Sequence, residues 1–205
     1  YKIDIIKAES EEEYIKSLID KPFNILENDL YEFKLIKHNK KVKLIGKFHH
    51  IISDAWSVSL IISEIVDIYS KLIKKVDIKD MQYPSYIDYI QNEEIYENSE
   101  KKIQDKEYWE KIYETEPQIL YLGMSATKAK RKKFILDEKI YKRVKEFCKT
   151  NKISEYCLFL TAFQLYICKL YNVNDVTIGT PYLNRKSFKE KQTIGMFINT
   201  LLSRL

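Results

Sequence analysis

Apolar and polar positions alternate with a period of two near the start of the chain and follow a helical period through most of the remainder. Lys2–Ile6 alternates as a strand does. Leu30–Ile36 and Val42–Phe48 do the same on either side of His38, Asn39 and Lys40, so these two stretches predict a hairpin. His38 reads as a solvent-facing turn residue outside any chemistry. Ser10 followed by Glu13 is a capping-box pattern, opening a helix that ends near Asp20 ahead of Pro22. Trp56–Ile73 is amphipathic, patterned by Leu60, Ile61, Glu64, Ile65, Ile68, Tyr69 and Leu72, with an apolar face that must pack on the sheet. From Tyr83 to Glu114 the chain reads as mostly helical and polar, with Tyr86, Tyr89, Ile90, Ile103, Tyr108, Trp109, Ile112 and Tyr113 turned inward.

The pattern breaks at Pro117–Lys133, which contains Gly123, Ser125 and Thr127. Residues 117–132 are the expected linker between an N-terminal lobe, 1–116, and the start of a C-terminal lobe, 133–205. Lys133–Leu136 predicts a short strand and Glu138–Thr150 an amphipathic helix. Ser154 caps a nearly all-apolar helix, Cys157–Tyr171, expected to be a central buried element. Asp175–Gly179 predicts a strand ending in Gly179-Thr180-Pro181, and Met196–Leu205 predicts another. Strands alternating with helices on both sides of the linker predict an α/β fold, an α+β sandwich in two lobes.

Composition narrows the function classes. The chain has 205 residues, 45% of them hydrophobic, enough for a sizeable core. Its net charge of +5 is scattered, and KAKRKK at Lys128–Lys133 is too short for the basic, aromatic-interleaved surface that binds nucleic acid. Cys148, Cys157 and Cys168 lack CxxC spacing and sit in apolar helical patterns, so they read as small buried hydrophobes in a reducing compartment. No ligand-spaced cluster suggests a metal. No signal peptide or spanning segment is visible either, so a cytoplasmic location away from membranes is expected.

The chemistry concentrates at HHIISDAWS, His49–Ser57, where the third strand meets the long helix. A neutral imidazole can take a proton from an amine near pH 7, and a neighbouring group fixes its tautomer. No serine or cysteine nucleophile pairs with it, so the imidazole would act directly on an incoming nucleophile. Asp54 and Ser57 are also suited to cap the helix.

HHIISDAWS resembles the HHxxxDG signature of nonribosomal peptide synthetase condensation domains, members of the chloramphenicol acetyltransferase-like superfamily. YIDYIQ (Tyr86–Gln91), TIGTPYLNR (Thr177–Arg185) and IGMFINTLLSRL (Ile194–Leu205) are similar to later family motifs, in the family's order. The resemblance implies two chloramphenicol acetyltransferase-like lobes, both incomplete, because intact relatives extend beyond both ends. It implies amide formation between a donor thioester and an aminoacyl acceptor. Both are carried on the phosphopantetheine arms of peptidyl and aminoacyl carrier domains, beside an adenylation domain, with no cofactor of the chain's own.

His50 is then the reacting imidazole, His49 orients the loop, and Asp54 positions it by pairing with an arginine. In the family that arginine lies in an upstream motif not found here, so the pair is expected to be missing. Ala55, Ser57 and Asn199 are the candidate substrate contacts, while Gly179, Pro181 and Arg185 read as turn and packing residues. Ala55 stands where the family has glycine; its methyl is costly at positive φ and tolerable at the opening of a helix. A coenzyme A-dependent acyltransferase, an epimerisation domain and an inactive carrier-docking scaffold are the alternatives. The last two motifs favour condensation over the acyltransferase.

Overall fold

A computed structural model describes residues 3–7, 10–38, 41–78, 82–118, 120 and 130–205. In chain order the elements are β1 (Asp4–Lys7), α1 (Glu11–Asp20), β2 (Tyr31–His38), β3 (Lys41–Phe48), α2 (Ala55–Ile73), α3 (Tyr86–Glu97), α4 (Glu100–Ile112), α5 (Glu138–Asn151), α6 (Glu155–Tyr171), β4 (Thr177–Tyr182), α7 (Phe188–Gln192) and β5 (Asn199–Arg204). Helices and strands mix throughout, as the sequence pattern predicts. They form two compact units, and neither is a single stretch: residues 1–97 join with 183–199, and residues 98–182 join with 200–205. This division differs from contiguous lobes split at 117–132, because Leu183–Asn199 packs among residues of the first unit. Most of the expected linker lies outside the described residues.

In the first unit β2 lies between β1, parallel to it, and β3, antiparallel to it. The register pairs Tyr31 with Phe48, Phe33 with Gly46 and His38 with Lys41. His38 therefore ends a strand, half-buried, instead of standing in a turn. Alternation puts Lys43 and Lys47 on the face met by α1. Lys43 pairs with Glu11 there, and Lys47 Nζ donates to the carbonyls of Leu18, at 2.7 Å, and Lys21. These bonds satisfy carbonyls that the end of α1 leaves open. At the other end of α1 the Ser10 hydroxyl accepts from Glu13 N–H at 3.4 Å, beside three first-turn glutamates that favour the helix dipole.

The opposite face of the sheet turns Tyr31, Phe33 and Leu44 toward Leu60, Ile61 and Ile65 of α2, around a cavity of about 750 Å3. Gly46 has a packing reason to lack a side chain. A Cβ there would stand 2.9 Å from Phe48 Cε2 and 3.1 Å from Phe33 Cε1, where the two rings meet edge to face.

In the second unit β4 and β5 form a two-stranded sheet. Val176 and Leu205 extend it by exchanging two backbone bonds, the pattern of an antiparallel pair. Gln164 of α6 donates to the Ser203 carbonyl at 2.9 Å. Arg204 reaches from β5 to the carboxylate of Asp175, to the carbonyl of Ile112 at the end of α4 and to that of Thr115 just past it, the last two at 2.8 Å.

Several expectations are corrected. Lys133–Leu136 forms no strand; it has no pairing partner among the described residues, and Phe134 and Ile135 are exposed. α6 is apolar without being buried. Gln164 is its one buried residue, and its large apolar side chains from Tyr156 to Leu170 include six that are 48% to 59% exposed. An apolar helix is covered only where neighbouring elements face it, and here those contacts lie along one side. Cys157 is exposed on this helix, whereas Cys148 is buried and Cys168 half-buried; all three are free thiols. Ile90, Ile103 and Tyr108 are likewise exposed. β4 does not stop at Gly179 but continues through Thr180, Pro181 and Tyr182. No single helix among the described residues is long and apolar enough to cross a membrane.

Candidate functional site

β3 delivers the two histidines. Past Phe48 the ladder makes one more bond, His49 N–H to the Leu30 carbonyl at 2.8 Å, and the chain then turns. The turn closes on His49 itself. Ile52 N–H donates to its carbonyl at 3.2 Å, and Ile51 N–H donates to its Nδ1 at 3.1 Å. An imidazole that accepts at Nδ1 carries its neutral-form proton on Nε2, so this bond selects the tautomer of His49. The ring also meets the edge of Phe23, with centroids 6.1 Å apart. His49 is half-buried, while His50, one residue on, is exposed to solvent.

The loop then plunges inward. Ser53 and Asp54 are buried, and Asp54 is the N-cap of α2, its carboxylate accepting from Ser57 N–H at 2.8 Å. Two further donors reach that carboxylate: Arg185 Nη2, 3.1 Å from each oxygen, and Phe197 N–H at 3.2 Å. The Asp54 and Arg185 side chains are both fully withdrawn from solvent. The partner arginine expected to be missing is thus present, supplied from 131 residues downstream. Burial pushes the Asp54 carboxyl upward, and the hydrogen bonds from Ser57, Phe197 and Arg185 more than reverse this, leaving it below its ordinary 3.8.

Arg185 is more than a turn residue. Its Nη1 donates to the Glu190 carbonyl at 2.5 Å and the Thr193 carbonyl at 2.6 Å, and its guanidinium lies 4.0 Å over the Phe197 ring. Its Nε, also buried, has no hydrogen-bond partner. α7 is shaped for this contact by a capping box in which Ser187 and Glu190 serve each other's backbone N–H. Trp56 Nε1–H adds a bond to the Lys191 carbonyl at 2.9 Å.

Ser57, expected to face substrate, is completely buried. Its hydroxyl donates to the Gly195 carbonyl at 2.7 Å and lies 3.0 Å from Gly195 N and 2.9 Å from Arg185 Nη2, so its capacity is used within the protein. Ala55 is exposed and is the first residue of α2; its helical backbone lacks the positive φ at which a methyl would be strained. Asn199 is exposed at the start of β5. Sequence reasoning missed the roles of Gly195 and Phe197, although both lie in the IGMFINT stretch it singled out. Gly195 contributes only backbone atoms and Phe197 adds a backbone N–H to its ring, and no side-chain motif announces a backbone contact. Among the described residues no group of three or more His, Cys, Asp or Glu side chains gathers as metal ligands would.

The condensation-domain family model matches residues 1–205, the whole length. The chain belongs to the condensation-domain family. Bacitracin synthase 3 of Bacillus licheniformis is 31% identical over 207 residues, a match that takes in 97% of this chain and 3% of that protein. The first condensation domain of the CDA synthetase superposes with a TM-score of 0.75 at 18% identity, over 99% of this chain and 48% of that one. The epimerization domain from the third module of tyrocidine synthetase B gives 0.75 at 20% identity, over 99% and 50%. The chain therefore has the condensation-domain fold and spans about half the length of these solved relatives. In this condensation-domain chain the Asp54–Arg185 pair joins the HHIISD motif to TPYLNR, and Phe197 brings in IGMFINT.

Proposed function

We propose that this chain forms amide bonds as part of a nonribosomal peptide synthetase, with His50 as the reacting imidazole. The observation that carries this reading is the contrast within one turn: His50 is exposed while its flanks, His49 and Asp54, are tied down. An exposed side chain on a fixed loop can meet a substrate without losing its orientation.

The acceptor amine attacks the donor thioester carbonyl, forming the C–N bond. The C–S bond breaks and the electron pair leaves with the phosphopantetheine sulfur. The proton shed by the attacking nitrogen passes to His50 and from there to the departing thiolate, so the imidazole returns neutral. The arms belong to peptidyl and aminoacyl carrier domains of a cytoplasmic assembly that includes an adenylation domain. His49 holds the turn through its Nδ1, and Asp54 and Ser57 hold it from the helix side. Ala55 and Asn199 remain the candidate substrate contacts.

The test is dipeptide formation by the intact synthetase with loaded carriers, wild type against His50→Ala. The expected loss is on the order of 100-fold or more, the usual contribution of a positioned general base. Turnover that stays unchanged above the spontaneous background overturns the assignment. Because an epimerization domain shares the fold, the same reactions in deuterated water distinguish the two: exchange at the donor α-carbon without amide formation identifies an epimerase.

A further inference from the structure

Tyr86 opens α3 in the YIDYIQ stretch, and it touches three consecutive residues of the returning segment. Its ring fills the space over Gly195 so closely that a Cβ there would stand 2.1 Å from Tyr86 Cδ2. Its hydroxyl donates to the Met196 carbonyl at 2.6 Å. Its ring meets Phe197 at a steep angle, centroids 5.2 Å apart, with Tyr89 packed against both. Two of the three, Gly195 and Phe197, also bond to the segment that follows the histidines. Gly195 gives its N–H and carbonyl to Ser57, and Phe197 gives its N–H to Asp54. One side chain therefore fixes the backbone that holds both ends of the first turn of α2.

We propose that Tyr86 is a positioning residue for the condensation reaction, acting on the His49–His50 turn through Gly195–Phe197 and the Asp54–Arg185 pair. The proposal rests on the function argued above. Burial raises the tyrosine hydroxyl above its ordinary pKa, with the Asp54 charge adding to the effect, so it stays protonated and able to donate through neutral pH. The contact is steric as well as polar. Gly195 can lie against the ring only because it has no side chain, so a shift of Tyr86 transmits directly to the peptide that Ser57 binds.

Tyr86→Phe keeps the ring and removes only the donor to Met196, so it separates the two effects and is the variant with which the fold is retained. In the full-length protein, kcat for dipeptide formation should fall about tenfold, the size of one hydrogen bond felt in the transition state, while acceptor KM stays unchanged. The melting temperature should shift little. Long-range 1H–15N spectra of the imidazoles should show the His49 signals moving away from the fixed Nε2–H tautomer. Loss of activity in proportion to the folded fraction, with unchanged imidazole spectra, overturns the proposal and leaves Tyr86 a packing residue. Unchanged kcat together with unchanged spectra overturns it as well. Should the wild type form no amide at all, the functional reading fails, and the spectra of wild type and Tyr86→Phe alone decide whether Tyr86 governs the turn.

Discussion

Two arginine–aspartate pairs, one in each compact unit, are built from the same chemical groups in opposite settings. Asp54 and Arg185 are both 0% exposed, whereas Arg204 and Asp175 keep 15% and 31% of their side-chain surface in water. Arg204 is also held by several partners besides Asp175, including the Thr115 hydroxyl at 2.9 Å and the Tyr113 ring. The difference lies in what is left behind when one partner goes. Water can solvate Asp175 without its arginine; it cannot reach Asp54. A buried pair is therefore a requirement of the local structure more than a source of stability, because desolvation offsets much of its attraction.

The largest effect that tests this contrast is Arg185→Ala, which leaves the buried Asp54 carboxylate without its counter-charge. It should cost about 3–5 kcal/mol in urea unfolding. Arg204→Ala should cost clearly less in the same measurement, and equal losses would break the comparison. Next comes Gly195→Ala, which drives a methyl into the Tyr86 ring and should cost about 1–3 kcal/mol by overpacking, read as a lowered melting temperature.

Acid sharpens the contrast further. The folded-state pKa of Asp54 lies below its ordinary 3.8, so its contribution is present above that pH and is lost as pH falls through the folded value. The wild type should therefore lose stability below about pH 3.8 more steeply than Asp54→Asn, which starts lower and lacks this titration. Added salt should act the other way round, weakening the exposed Arg204–Asp175 pair while leaving Asp54–Arg185 nearly untouched, because screening requires access to solvent. The smallest effect is that of His50→Ala on stability. The residue is exposed, so the melting temperature should stay at the wild-type value.

What could be read from the sequence was what is local. Ser10, Asp54 and Ser154 cap helices as their positions predict, because a cap is decided within three or four residues. The β2–β3 pairing follows from alternation on either side of a short polar stretch. The histidine motif also marked the loop on which the proposed function rests. The ion pair that anchors it was not legible, since nothing in TPYLNR says which of its residues will be enclosed or by what. The misread segments fail for a related reason. Lys133–Leu136 has the composition of a strand and α6 that of a core helix, yet pairing and burial depend on facing elements, which a linear pattern does not contain.

The return of residues 183–199 to the first unit bears on how such chains can be recombined. A crossover placed between 117 and 132, where the helical pattern breaks, takes Asp54, Ser57 and Tyr86 from one parent and Arg185, Gly195 and Phe197 from the other. Hybrids cut there preserve these contacts when the two parents carry matching residues at the six positions. Exchanging 183–199 together with the first 97 residues keeps the six in one lineage.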